Sequence, residues 1–263
     1  MTHISDTFQS LRQQQRSALI PYITPEFPVR GTTVPLVHAL EEASADLIEL
    51  GVPFSDPIAD GPTIQHSSRV ALLNGVTLKK VLGIVHSIRS KSDIPVILMG
   101  YYNSFLRYKL DRFFRDAAAV GVDGVIVPDL PPEEAGELMQ AARQKGVGIT
   151  FLIAPTTADE RIKKIDKLST DFSYCVSVTG VTGERKSLGA KRELKTFLKR
   201  VNEHTKKPFV VGFGISRREQ VLEVCQYADG AVVGSALIKS MENCTSVRVA
   251  VRAGVKFFRA LRG

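Results

Sequence analysis

The sequence predicts a closed (β/α)₈ barrel, one domain spanning residues 1–263 with a short extra helix at its N-terminus. Three observations carry that expectation. Eight short apolar runs recur along the chain with amphipathic segments between them. The runs are apolar on both faces, which suits parallel strands covered by crossover helices. A chain of 263 residues also matches the usual size of such a barrel. A doubly wound open sheet is the competitor, but the first run ends Tyr22-Ile23-Thr24-Pro25, without the glycine fingerprint that such sheets carry there.

In chain order, Phe8, Leu11 and Arg12 lie at helical spacing behind a Ser5/Asp6 cap signal, so residues 5–16 are predicted to be the leading helix. The eight runs then follow at 18–24, 45–51, 94–102, 122–128, 148–155, 172–178, 208–213 and 230–234. Each is bounded by Gly, Pro or Asp and is rich in β-branched or aromatic residues. Segments 110–119, 133–144, 158–168 and 217–227 read as amphipathic helices between them. A last helix is expected around the apolar stripe Val247, Val251, Val255, Phe258 and Leu261.

Composition narrows the function classes. With 44% hydrophobic and 24% charged residues, the chain has ordinary globular proportions. No apolar run reaches the ~18 residues of a membrane span, and the N-terminus lacks a secretory pattern, so a cytoplasmic protein is expected. Cys175, Cys225 and Cys244 form no CxxC unit, and the five histidines form no HxH or HExxH pair, so no metal site is expected. The net charge of +8 is spread over helix faces without interleaved aromatics, which argues against nucleic acid and fits solvated faces or an anionic small substrate.

In a barrel, chemistry gathers at the carboxyl ends of the strands. Those ends offer Tyr22, Glu49 with Asp60 in the loop behind it, Tyr101, Asp129, Tyr174, and glycine-rich turns at Gly212-Phe213-Gly214 and Gly234-Ser235. Glu49 shares a strand face with Leu47 and Gly51. Pointing outward it would pair with a lysine; pointing inward it would be desolvated and able to exchange a proton. The two glycine turns, each opening a helix, are where barrels hold phosphate, with Thr182-Gly183 as further donors; tight turning alone is the bland reading. The tyrosines would otherwise be ordinary core or rim aromatics, but three at strand ends suggest a pocket for a flat substrate.

The stretch LIELGVPFSDPIADGPTIQ, with LMGYYN, VPDLP, GFGIS and GAVVGSALI in the same order, resembles the tryptophan synthase α subunit family along nearly the whole chain. That resemblance implies retro-aldol cleavage of indole-3-glycerol phosphate to indole and glyceraldehyde 3-phosphate, with no cofactor in this chain. Glu49 would shuttle protons and Asp60 would hold the indole N–H. Tyr174 would support Glu49, and Tyr22, Tyr101 and Ile153 would wall the indole. Thr182, Gly183, Gly212, Phe213, Gly214, Gly234 and Ser235 would cradle the phosphate. Loops 53–62 and 179–190 would be lids meeting a pyridoxal-phosphate-dependent β subunit in an α₂β₂ heterotetramer, with Asp56 at that contact. The chain departs from the family at Thr24-Pro25-Glu26-Phe27-Pro28 and at Arg185–Ala190. Two other readings stand beside the lyase: an α-like activator of the β partner without catalysis, and a sugar-phosphate isomerase barrel, which calls for a metal, lysine or cysteine at a strand end.

Overall fold

The computed structural model of the chain describes residues 2–176, 188–212 and 214–262. Its strands are β1 (Ala18–Ile23), β2 (Ile48–Gly51), β3 (Val96–Met99), β4 (Gly124–Ile126), β5 (Gly148–Thr150), β6 (Leu152–Ile153), β7 (Ser173–Val176), β8 (Phe209–Gly212) and β9 (Gly230–Val233). Every pairing between them is parallel. The sheet runs β5-β4-β3-β2-β1-β9-β8-β7-β6, and its two ends are joined covalently through Phe151. The fifth predicted run is therefore one barrel strand broken at a single residue. Phe151 still donates its N–H to the Ser169 hydroxyl and accepts from the Tyr174 N–H, so the break leaves no orphaned backbone group.

Strand alternation sorts the core into two layers. Ile48, Leu50, Val96, Leu98, Phe209 and Val211 belong to the outer layer, packed under the helices. Ile20, Leu47, Ile97, Ile126, Phe172, Val210 and Val232 fill the barrel's interior. The leading helix α1 (His3–Gln13) adds Ile4, Phe8 and Leu11 to that interior cluster and so stoppers the N-terminal end of the barrel. Its cap is Thr2, whose hydroxyl accepts the Ser5 N–H, rather than the predicted Ser5/Asp6 pair. Ser5 instead donates its hydroxyl to Asp171, as does Thr2.

Four aspartates ring this closed end, each just ahead of an alternate barrel strand: Asp46 before β2, Asp123 before β4, Asp171 before β7 and Asp229 before β9. Three of them accept a backbone N–H from the preceding strand, at Leu19, Val96 and Phe209 respectively for Asp46, Asp123 and Asp229. All four also reach α1 or the turn after it. Arg16 meets Asp46 at 2.7 Å, His3 meets Asp123 at 3.1 Å and Arg12 meets Asp229 at 3.7 Å, while Asp171 takes the two hydroxyls.

Helices α2 (Thr33–Glu42), α3 (Pro62–Leu73) and α4 (Leu78–Arg89) follow the first two strands; α5 (Tyr102–Tyr108) and α6 (Leu110–Val120) follow β3. Helices α7 (Gly136–Lys145), α8 (Asp159–Leu168), α9 (Leu188–His204), α10 (Arg218–Val224), α11 (Ser235–Met241) and α12 (Val247–Arg262) complete the shell. The last helix faces the core with the predicted Phe258 and Leu261 and with Ala250 and Gly254, while the predicted Val251 and Val255 pack partly buried beside them. The reason is close packing: a Cβ on Gly254 would press on Met241 and Leu36, and only small residues fit that seam.

The unusual turn at 24–28 forms a tied knot. The buried Glu26 accepts the Gly31 N–H and the Thr33 hydroxyl, its own N–H goes to Thr33 Oγ1, and its carbonyl accepts from Asn74 at the end of α3. A buried carboxylate with that many donors holds a turn in place of a glycine-based one.

Candidate active site

At the open end of the barrel, the interior-facing positions of β1, β2, β3, β7, β8 and β9 converge on one cleft. Leu47 belongs to the interior cluster while Ile48 and Leu50 belong to the outer layer. Alternation therefore sends Glu49 inward, where only 1% of it is exposed. Tyr22 stands directly beside it, in register on β1. Two glycines make room for the tyrosines: a Cβ on Gly51 would run into the Tyr22 hydroxyl, and one on Gly212 into that of Tyr174.

The loop after β2 folds back on itself through Ile58 N–H to Asp56 O and Asp60 N–H to Pro57 O. Gln65 Nε2, from the first turn of α3, holds the Asp60 carbonyl at 2.9 Å. These bonds return the Asp60 side chain to the cleft. Glu49, Asp60, Tyr22 and Tyr174 line it together with Ile64, Met99 and Val232. Gly212, Gly214, Gly234 and Ser235 line it from the β8 and β9 side. Gly234 caps α11, so the first N–H groups of that helix have no acceptor within it.

The two carboxyl groups are held in different states. Burial pushes Glu49 up to about 8; a hydrogen bond with Tyr174 opposes this, and the nearby Asp60 charge adds to it. Its Oε1 has no hydrogen-bond partner among the described residues. Burial pushes Asp60 up only to about 6, with a hydrogen bond from Tyr101 working against the rise. The Tyr22 and Tyr174 phenols lie well above their ordinary value, first through burial and then through the neighbouring carboxylates. At neutral pH the cleft thus offers a protonated Glu49, an ionised Asp60 and neutral phenols. No cation lines it among the described residues. A neutral acid and a carboxylate side by side, pushed apart in proton affinity, make an acid–base pair.

The structure brings together Tyr22, Glu49, Asp60, Tyr174, Gly212, Gly214, Gly234 and Ser235. Tyr101 stands behind the loop, buried, with its hydroxyl accepting the Ala59 N–H at 2.9 Å and its ring stacked on Phe54. Ile153 is not brought to the cleft. It is fully buried in the outer layer under the helices, and its neighbour Leu152 is the residue packed against the interior cluster, because alternation continues across the break at Phe151. Asp56 is solvent-exposed and takes a bond from Ser55. Thr182, Gly183 and Phe213 lie outside the described residues, as do 179–187 of the predicted second lid. Met99 was legible from alternation with Ile97 on β3, and Val232 from alternation with Gly230 and Gly234 along its own strand. Ile64, from a helix start, had no such signal. Among the described residues, no three His, Cys, Asp or Glu side chains are grouped to hold a metal, and no single helix is long and apolar enough to cross a membrane.

The tryptophan synthase alpha chain family matches residues 8–260. The chain is 50% identical over 264 residues to the tryptophan synthase alpha chain of Roseiflexus castenholzii, covering 100% of both. It is 48% identical over 259 residues to that of Chlorobium chlorochromatii, covering 96% of this chain and 97% of the relative. Among solved structures, the tryptophan synthase subunit alpha of Legionella pneumophila superposes with a TM-score of 0.91 at 35% identity, covering 100% of this chain and 97% of that one. A chain of a tryptophan synthase complex from Pyrococcus furiosus gives 0.85 at 41% identity, covering 94% and 98%.

Proposed function

The chain belongs to the tryptophan synthase alpha chain family, and from that premise we propose how its own residues carry the reaction. The activity is a lyase step of tryptophan biosynthesis: indole-3-glycerol phosphate is cleaved to indole and glyceraldehyde 3-phosphate, and the indole passes to a β subunit. The observation that carries the residue assignment is the meeting of a buried Glu49 and a half-buried Asp60 in one cleft, burial pushing the first up to about 8 and the second only to about 6.

Glu49 enters the cycle as the acid. It donates its proton to indole C3, and the ring becomes a cationic indolenine. Asp60, ionised, accepts the indole N–H and offsets the charge that grows there. Glu49, now a carboxylate, takes the proton from the glycerol hydroxyl on the carbon bonded to C3. That C–O becomes a carbonyl, the C3–carbon bond breaks, and its electron pair returns to the ring as indole. Glu49 ends protonated, so the cycle closes with no external proton and no cofactor. The Tyr174 hydroxyl orients Glu49 and stabilises its ionised form midway through the cycle.

Tyr22 and Tyr101 wall the indole, and Gly212, Gly214, Gly234 and Ser235 take the phosphate together with Thr182, Gly183 and Phe213. Ile153 has no part in this arrangement. Asp56 and the rest of loop 53–62 meet the β subunit, which holds pyridoxal phosphate in a cytoplasmic α₂β₂ assembly. The test is direct: the purified chain is incubated with indole-3-glycerol phosphate, with and without a β subunit, and released indole is measured. No indole even with the partner present would sink the reading.

A further inference from the structure

Tyr101 stands behind the loop that carries Asp60. Three contacts from different parts of one loop end on this single side chain. Its ring stacks on Phe54 at 5.2 Å with an interplanar angle of 22°. Its hydroxyl accepts the Ala59 N–H at 2.9 Å and lies beside the Asp60 carboxylate, which it holds down against burial. The tyrosine itself is fixed from behind. Tyr101 caps α5, and the next residue's N–H is held by Asp129 at 2.9 Å. It is also only 4% exposed, beneath a loop whose Ser55, Asp56, Ile58 and Ala59 are all exposed.

We propose that Tyr101 is a positioning residue, the post on which the loop carrying Asp60 is latched. The stack fixes the loop's first limb, the Ala59 bond fixes its last, and the hydroxyl's own proton is then directed at Asp60. This geometry is preorganised: the donor of the first bond and the acceptor of the second are adjacent residues, so one cannot move without the other. The role rests on the assignment of Asp60 to the indole N–H given above, and it names what holds that carboxylate in place.

The latch also sets the proton affinity of Asp60. Among the described residues, Tyr101 acts on Asp60 by its hydrogen bond, the Asp60 charge in turn raises Glu49 and Tyr22, and no cation lines the cleft. The Tyr101 bond is the influence holding Asp60 down against burial. Losing it raises the Asp60 affinity for a proton, so the acid limb of the rate profile moves to higher pH.

The variant is Tyr101→Phe, which keeps the ring and its stack on Phe54. Indole release with a β subunit present is followed across pH, and hydrogen exchange of the Ala59 amide is measured in the same proteins. Expected are a fall in kcat of about 10- to 100-fold with a smaller change in KM, an acid limb shifted upward, and Ala59 exchange several-fold faster than in the parent. An unchanged acid limb or unchanged Ala59 exchange overturns the latch. If the parent itself releases no indole, the lyase reading fails, and Ala59 exchange still decides the latch. Should Tyr101→Phe fold poorly, Phe54→Leu leaves the hydroxyl but frees the ring, and Ala59 exchange must again rise.

Discussion

The two ends of this barrel use the same chemical groups to opposite purposes. At the closed end, Asp46 takes two guanidinium groups and a backbone N–H, and Asp123 takes Arg89 at 2.6 Å, a backbone N–H and His3. Both are nearly buried, and both are pegs that fix strands to one another and α1 to the barrel. At the open end, Glu49 is more deeply buried than either, and among the described residues one of its oxygens has no partner and no cation lines its cleft. Cations and backbone donors make a carboxylate a structural pin. Leaving them out makes it a proton carrier, at a cost in stability.

The sharpest way to break this contrast is Glu49→Gln. The amide keeps the shape and loses the proton, so turnover is expected to fall by about 10³-fold or more, while a phosphate-bearing ligand still binds. Retention of most activity would show that the unpartnered carboxyl is not the proton carrier. The same variant reports the cost. An unfolded glutamate ionises near its ordinary 4.5, whereas folded Glu49 does so at about 8. Between those values the folded chain binds the extra proton, so stability falls as pH rises through the window and levels off above 8. Glu49→Gln should therefore gain stability over the parent progressively from pH 4.5 to 8, by up to about 5 kcal/mol. Denaturant unfolding at pH 5 and pH 8.5 measures it; a constant gap would refute the burial argument.

How much of this was visible beforehand differs between the ends. The barrel followed from the eight recurring runs, and the shared face of Leu47, Glu49 and Gly51 from a strand's fixed period. Whether that face turned in or out stayed open until Leu47 was placed in the interior cluster. The glycines at 212, 214 and 234 were legible because turn chemistry is local. Ile153 was misplaced because its assignment came from likeness and not from its own strand's parity, which puts Leu152 inside. The aspartate ring was not legible at all. Asp46, Asp123, Asp171 and Asp229 look like ordinary turn residues, and their shared role depends on strand order and on a helix from the other end of the sequence. The Tyr101 contacts were hidden for the same reason, since Phe54 and Ala59 meet it only after the loop folds back.

A closed-end pin is tested by Asp123→Ala. The carboxylate is removed from Arg89, whose side chain is 15% exposed, and from the Val96 N–H. Breaking such a pair is expected to cost about 3 kcal/mol, read as a lower midpoint in denaturant. Turnover per folded molecule should stay at the parent's value, because no part of the cleft is touched. A loss of turnover in the folded variant would join the two ends that this comparison separates.

The smallest expected effect tests whether an unpartnered buried atom means function wherever it occurs. Ser173 begins β7, two residues before Cys175 and directly ahead of Tyr174, and its hydroxyl is fully buried, without a partner among the described residues. It shares that distinction with Glu49 Oε1 and Asp171 Oδ2. Yet Ser173 sits at the closed end and carries no titratable proton, so it has only the cost of lost hydration. Ser173→Ala should then leave turnover unchanged and either keep stability within about 1 kcal/mol or raise it, since a buried hydroxyl without a bond is better absent. A loss beyond about 2 kcal/mol would mean that a buried water bridges Ser173 and Asp171. In that case the closed end would be as fully satisfied as its other three aspartates, and an unpartnered oxygen would remain a property of the open end alone.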